Sequence, residues 1–314
     1  LKKEKSMNQL EQIRIFVELV KAGSATQAAR QLNLATSAVS RRLKELEARL
    51  GTELLHRTTR SMTLTDDGRA YYERCVRILE DLDEAERELG SRSGELSGRL
   101  RITTPWSFGV SHLVPAITEF MYLHPRVEID LDMNDRKVDL VAEGFDLAIR
   151  IGELEDSSLV ARKLAPVSHV VAAAPDYFQR HGRPQSPQEL AGHQGLCYAN
   201  LKAPGQWLYF DDQGRRQSVK VPIRFRASNG DALRHAAIAG LGVLCEPSFI
   251  TYQAIRQGLL EPVLTQYRWY QMGIYALYPG TRHLSPRVRG FIDFLGKRFG
   301  DHPEWEAALD PFRA

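Results

Sequence analysis

The sequence predicts an α/β protein in which a small helical module is followed by a long helix and then by a larger domain of alternating strands and helices. Three observations carry this. Residues 24–50 hold two short helical patterns joined by a tight turn, residues 66–90 hold an uninterrupted heptad-spaced pattern, and from residue 99 apolar strand-like runs alternate with helical ones. With 314 residues and 43% hydrophobic side chains, the chain can form two or three domains, each with a core of its own.

In the first module, predicted over residues 7–65, Leu10, Ile13, Phe16, Val17 and Val20 recur at helical spacing. Ala25, Ala28, Ala29 and Leu32 then share one face of a second helix, small enough for another helix to approach closely. Val39, Leu43, Leu46 and Leu50 follow on a third, leaving Ser37, Ser40, Arg41 and Lys44 on its opposite, exposed side. Ser24 suits the N-cap of the second helix and Thr36 or Ser37 that of the third, with residues 33–35 as the turn. The pair reads as a helix-turn-helix, all-α except for what comes next. Gly51 ends the third helix, and LLHRTTRSMTLT (residues 54–65) predicts a short hairpin bearing Arg57 and Arg60, a wing beside the helices.

The exposed face pairs hydroxyls with a guanidinium, groups that bond base edges in a major groove, while arginines on a wing reach phosphates or the minor groove. Thr36, Ser37, Ser40 and Arg41 are the predicted base or phosphate contacts, Arg42 and Lys44 the predicted backbone contacts, and Arg57 and Arg60 the flanking ones. Solvated charge and helix capping are the plainer readings of the same residues. The charge distribution agrees with a polyanionic partner. Residues 1–70 carry 13 Lys and Arg against 8 Asp and Glu, whereas the remainder carries 29 against 31.

Asp66 and Asp67 favour a helix start, and Tyr71, Cys75, Ile78, Leu82, Ala85 and Leu89 form a heptad stripe behind them. Such a stripe joins two copies of a chain, as a two-fold DNA site requires, or packs on the chain's own next domain. Gly and Ser then dominate residues 91–98, a predicted hinge.

Strands are predicted at 100–104, 127–133, 145–151, 167–174, near Leu196, and at 207–210, 219–226, 242–245 and 272–279. Helices are predicted at 108–123, 136–143, from Pro175, and at 230–239, 247–257 and 286–299, and residues 301–314 read as a polar tail without a pattern. This order implies a largely parallel sheet, whose ligands sit beyond the carboxyl ends of the strands. The loops there nominate Thr104, Trp106, Ser107 and Phe108, then Arg150, Ile151 and Gly152, then Ser228 and Asn229. Ser107 offers a hydrogen bond, Trp106 a stacking face and Arg150 a cation; Tyr198 and Trp207 are further candidates. The competing structural roles are helix capping for Ser107 and Asn229, core packing for Trp106 and pairing with Glu153 for Arg150.

The chain resembles the LysR-type transcriptional regulators. The residues that carry the resemblance are Gly23-Ser24, Ala28-Ala29, Leu32, Ser37-Ala38-Val39-Ser40-Arg41, Leu43, Leu46-Glu47, Leu50-Gly51, Leu54-Leu55, Arg57, Arg60, Leu64-Thr65 and Gly68. Later matches are Pro115, Phe120, Pro125, residues 146–150 (DLAIR) and residues 240–243 (GLGV). Ala25 and Leu55 stand where many members have Phe, and Ala35 where Ser or Thr is common. The resemblance implies a winged helix-turn-helix, a dimerising linker helix at 66–90 and a two-lobed, periplasmic-binding-protein-like effector domain at 99–300. Its first lobe would comprise 99–165 and 271–300, and its second 166–270. It further implies a cytoplasmic, sequence-specific regulator of double-stranded DNA with a two-fold repeated operator, a small-molecule effector between the lobes, and a homo-oligomer, usually a tetramer.

Other classes are disfavoured. There is no G-x-S-x-G, no metal-spaced His pair and no phosphate loop, so neither catalysis nor a metal or other cofactor is expected. No run of about 18 apolar residues suggests a membrane span. Cys75, Cys197 and Cys245 are odd in number and far apart, as core thiols in a reducing compartment would be. A small-molecule binding protein without a role in gene control is the alternative, and the helix-turn-helix argues against it.

Overall fold

The computed structural model describes residues 2–57, 62–90, 95–153, 157–211, 213–280 and 284–312. The chain divides into two compact units, Leu1–Glu95 and Leu96–Ala314.

The first unit contains α1 (Lys2–Ala22), α2 (Ala25–Gln31), α3 (Thr36–Leu50), β1 (Leu55–Arg57), β2 (Met62–Leu64) and α4 (Asp66–Gly90). Ser24 caps α2 as predicted, its Oγ accepting from Gln27 N at 3.2 Å. For α3 the predicted hydroxyl cap does not form. The Ala35 carbonyl already accepts from Ala38 N and Val39 N, so Ala35 occupies the cap position and Thr36 is the first helical residue. Asn33, with φ at 54°, turns the chain between the two helices, and Gly51, at φ 74°, ends α3 in the left-handed conformation that glycine adopts without strain.

The core of this unit gathers Ile15, Phe16 and Leu19 of α1, Ala28 and Ala29 of α2, Val39, Leu43 and Leu46 of α3, and Leu54 and Leu55. Burial of each leucine side chain contributes about 1.5–3 kcal/mol. Gly68 shows how closely the wing and α4 pack: a Cβ there would lie 1.9 Å from Leu54 O. Thr65 locks the same junction, donating to Glu53 O at 2.8 Å and accepting from Gly68 N at 2.9 Å.

The heptad stripe of α4 divides. Tyr71 and Tyr72 pack on Phe16 and Cys75 is fully buried, so the first turns of the stripe belong to this unit's own core rather than to an open seam. Ile78, by contrast, is 48% exposed. The side chains of Ala85 and Leu89 lie outside the described residues.

The second unit is built on β3 (Gly98–Thr104), α5 (Trp106–Phe108), a π-helical turn (Gly109–Leu113), α6 (Val114–Leu123), β4 (Val127–Met133), α7 (Leu140–Glu143), β5 (Leu147–Gly152) and β6 (Leu159–Ala173). It continues with α8 (Pro175–His181), β7 (Gly195–Tyr198), β8 (Gln206–Phe210), β9 (Arg216–Lys220), β10 (Ile223–Ala227), α9 (Gly230–Ile238), β11 (Val243–Pro247) and α10 (Ser248–Arg256). The last elements are β12 (Glu261–Val263), β13 (Arg268–Trp269), β14 (Gln271–Pro279), α11 (Pro286–Phe299) and α12 (Glu304–Ala307).

The main sheet runs β10-β7-β11-β6-β14-β5-β3-β4, with β12 also on β6. It is mixed rather than largely parallel. Each lobe is parallel within itself, β3 with β4 and β5 in one and β7 with β10 and β11 in the other, but the long crossing strands β6 and β14 pair antiparallel with their neighbours. Two predicted elements are shorter. The helix expected at 136–143 starts only at Leu140, where Asp139 accepts from Val141 N and Ala142 N. The strand expected at 219–226 is broken at Pro222, which has no N–H to continue a ladder, into β9 and β10.

Residues 301–312 do not form the unpatterned tail expected of 301–314. Trp305, 2% exposed, donates from Nε1 to Pro166 O and packs on Phe108, His112 and Phe299 in the first lobe's core. Leu309 enters the core of the second lobe. Between them the buried Glu306 accepts from Ser168 N, Ser168 Oγ and Ser248 Oγ at 2.8, 2.8 and 2.6 Å. Helix α10 also spans both cores, through Phe249, Ile250 and Tyr252 on one side and Ala254 and Ile255 on the other.

Candidate nucleic-acid interface and inter-lobe cleft

The apolar spacing of α3 turns Val39, Leu43 and Leu46 inward, which leaves Thr36, Ser37, Arg41 and Lys44 exposed and Ser40 half-buried along the outer face. The Arg41 side chain is 69% exposed, its guanidinium 3.7 Å from Glu45. Arg42 does not share this face. One position further round the helix, it reaches Glu45 at 3.2 Å and Glu11 of α1 at 3.4 Å, so two carboxylates offset its charge. Arg57 stands on β1 opposite Met62, with its side chain outside the described residues; Arg60 lies outside them altogether.

In the second unit, the carboxyl ends of the parallel strands of both lobes face one cleft. Asn229 caps α9, accepting from Ala232 N at 3.2 Å, and its Nδ2 donates to Ser107 Oγ at 3.3 Å on the opposite lobe. Two of the three predicted loops therefore meet. Trp106 is 50% exposed, not a core residue, and its backbone N–H donates to Asp135 Oδ1 at 3.3 Å. Thr104 is buried, its Oγ1 without a hydrogen-bond partner among the described residues, and so is the buried Oδ1 of Asn134 on the neighbouring strand end. Ser228 is exposed at the rim.

Arg150 is half-buried and ties strand ends together, donating to Ile149 O, Thr103 Oγ1 and Arg136 O at 2.9, 3.2 and 3.5 Å. Burial lowers its pKa, against the opposing pull of Asp135 and Asp132. Pairing with Glu153 is not what holds it. Ile151 and Gly152 pair with Ile274 and Gly273 of β14, and Ile151 packs along the first lobe's core.

Two candidates are corrected. Phe108 is fully buried, stacked on His112 and edge-on to Phe249, because the turn after β3 carries it under the sheet's helical layer. Trp207 lies in the core of the second lobe. Tyr198 remains half-buried at the cleft; burial raises its pKa, and both Asp135 from the first lobe and Glu246 from the second add to the shift.

Glu246, at the end of β11, was not among the sequence candidates. It is 4% exposed, and burial, then the charge of Asp231, pushes its pKa up to about 8. A glutamate in an apolar strand run gives no sign in sequence of which way it points. A groove of about 810 Å³ runs elsewhere, along β6 and β14 past Lys163, Tyr275, His302 and Glu306, and among the predicted contacts it touches only Gly152.

The pattern described as the bacterial regulatory helix-turn-helix protein, lysR family, matches residues 10–69, and that of the LysR substrate binding domain matches residues 93–300. The chain belongs to the LysR family. Among its relatives, an uncharacterized HTH-type transcriptional regulator of Haemophilus influenzae is 39% identical over 90% of this chain and 98% of its own length. The HTH-type transcriptional regulator CrgA of Neisseria meningitidis serogroup C is 36% identical over 93% of this chain and 97% of its own. The solved structure of the LysR-type regulator CrgA from Neisseria meningitidis superposes with a TM-score of 0.61 at 35% identity, covering 93% of this chain and 99% of that one. The full-length virulence activator AphB of Vibrio cholerae gives 0.57 at 30% identity, covering 91% and 98%. This LysR-family protein is thus a DNA-binding transcriptional regulator with an effector-binding domain, and its relatives are regulators, not enzymes. No helix among the described residues is long and apolar enough to cross a membrane.

Proposed function

We propose that this regulator reads a two-fold repeated operator with the outer face of α3, through Thr36, Ser37, Ser40, Arg41 and Lys44, and that Arg57 and Arg60 of the wing contact the flanking backbone. Arg41 is the base-reading group, forking onto guanine O6 and N7. Arg42 braces α3 against α1 instead. The protein acts in the cytoplasm as a homo-oligomer: exposed Ile78 on α4, and Tyr122 and Leu123 on α6, supply apolar surface for self-association.

A small-molecule effector sits between the lobes against Thr104, Trp106, Ser107, Arg150, Ser228 and Asn229, with Ile151 and Gly152 closing one end. The observation that carries this reading is the Asn229 to Ser107 hydrogen bond, because it ties the cleft geometry to the relative placement of the lobes. An effector with unequal affinity for two lobe arrangements shifts their populations, and with them the spacing of the DNA-reading heads. Selection of genomic fragments by the purified protein, followed by footprinting with and without cleft ligands, tests the proposal. The footprint should be two-fold, and it should change with ligand; a footprint that no cleft-binding ligand alters overturns the effector part, and unselective fragment recovery overturns the operator part.

A further inference from the structure

Resting on the inter-lobe cleft as the effector site, we propose that the effector carries a protonated amine and that Glu246 is the carboxylate that receives it.

Glu246 is 4% exposed at the end of β11; its carboxylate is not fully sealed from solvent, and no hydrogen bond or ion pair reaches it among the described residues. A buried carboxylate without a partner is unfavourable, so it either holds a proton or receives a cation from a ligand. Its surroundings make the need sharper. The charge that acts on it belongs to Asp231, whose own carboxylate is taken by Arg234 at 3.2 Å. No Lys, Arg or His among the described residues neutralises Glu246 in turn.

The carboxylate also faces the right space. Its Oε2 lies against the first turn of α9, where a Cβ on Gly230 would come within 3.0 Å of it. That turn begins one residue after Asn229, which reaches across to Ser107. Tyr198 feels both Glu246 and Asp135, so the two lobes bring their acidic groups to the same tyrosine.

Two buried oxygens at the strand ends of the first lobe, without partners among the described residues, agree in chemistry. Thr104 Oγ1 can accept a hydrogen bond and Asn134 Oδ1 can only accept one. Arg150, the obvious anion receptor, spends three of its five N–H donors on Ile149 O, Thr103 Oγ1 and Arg136 O. The two strand-end acceptors and the Glu246 carboxylate are matched by a primary ammonium, which brings three N–H donors and a positive charge.

The test titrates the full chain, wild type, Glu246→Gln and Ser107→Leu, by calorimetry against n-butylamine, 1,4-diaminobutane, benzylamine and lysine, each beside its size-matched alcohol and carboxylate. Circular dichroism and operator binding confirm that both variants fold. An amine should bind the wild type at least tenfold more tightly than its matched alcohol or carboxylate, and the Glu246→Gln protein should lose at least tenfold in affinity for it. Equal amine affinity in the Glu246→Gln protein, tighter binding of a matched carboxylate, or no amine binding at all overturns the assignment. A carboxylate or alcohol whose binding Ser107→Leu abolishes removes the amine but keeps the cleft as the effector site, whereas ligands indifferent to both variants remove the cleft reading too.

Discussion

Asn229 bonds to both lobes at once, its Oδ1 capping α9 and its Nδ2 donating to Ser107 Oγ at 3.3 Å. The two functions separate in the Asn229→Asp variant, which keeps a capping oxygen but has no N–H to donate. Aspartate and asparagine cap equally well, so the melting temperature should stay within about 1–2 °C, a fraction of a kcal/mol. Hydrogen exchange should nonetheless quicken in residues 105–113 and 228–232. Unchanged exchange on both sides would mean that this bond does not hold the lobes.

Arg41 and Arg42 are neighbours in sequence with opposite roles in the fold. Arg41→Ala should weaken operator binding by about 1–3 kcal/mol and change base preference, as loss of a bidentate contact does. Arg42→Ala should leave base preference intact. It should cost about 0–1 kcal/mol of stability through the partly exposed pairs with Glu11 and Glu45. Gel-shift titration over a set of operator variants, with thermal melting alongside, distinguishes the two.

Glu306→Ala should destabilise the second unit strongly, since Ser168 N, Ser168 Oγ and Ser248 Oγ all lose their acceptor. Hydrogen bonds to a charged group contribute about 1.5–3 kcal/mol each but are not additive, so a total near 3 kcal/mol, or about 6–12 °C in a domain of this size, is expected. Urea unfolding followed by tryptophan fluorescence measures it. A loss below about 1 kcal/mol would show that the three bonds are replaced by solvent.

The pH dependence of Glu246 has a definite sign. Burial raises its folded pKa to about 8, above the 4.5 of the free side chain, with Asp231 adding to the shift. The folded state therefore holds the proton more tightly, and the associated stability is present below pH 4.5 and lost as pH rises through 8. Tyr198, Cys197 and Cys245 also border this carboxylate, but burial raises all three, so they stay neutral across the window. The Glu246→Gln protein should match the wild type near pH 4.5 and become progressively more stable than it up to about pH 8. Melting curves at half-unit pH steps check this; a constant difference across the range would place the carboxylate in solvent.

How much of this was legible in the sequence depended on the range over which each signal acts. Helix α11 spans the residues that apolar spacing and flanking Ser, Pro and Gly predict, and α3 ends at the predicted Gly51, because those signals are local. The first half of β6 was missed: Arg162 and Lys163 are exposed there, and a ladder made with the distant β14 leaves no local mark. The wing, Ser107 and Asn229 were found as turn and cap residues, but their meeting across 122 positions was not. Glu246 was invisible for the same reason, since a strand's two faces are assigned by what packs on them. The start of α3 was misplaced by a residue or two because Thr36 and Ser37 look like caps, whereas the helix opens from the extended backbone of Ala35.

The segment after α11 gives the effector domain a boundary that the family pattern does not have. That pattern ends at residue 300, but Trp305, Glu306 and Leu309 lie beyond it and clasp both lobes. A fragment trimmed at the family boundary would retain the whole cleft and lose the buckle across its back. Ligand affinity measured on such a fragment would describe a looser machine, and only the chain carried through Leu309 would report how far the lobes travel when the effector binds.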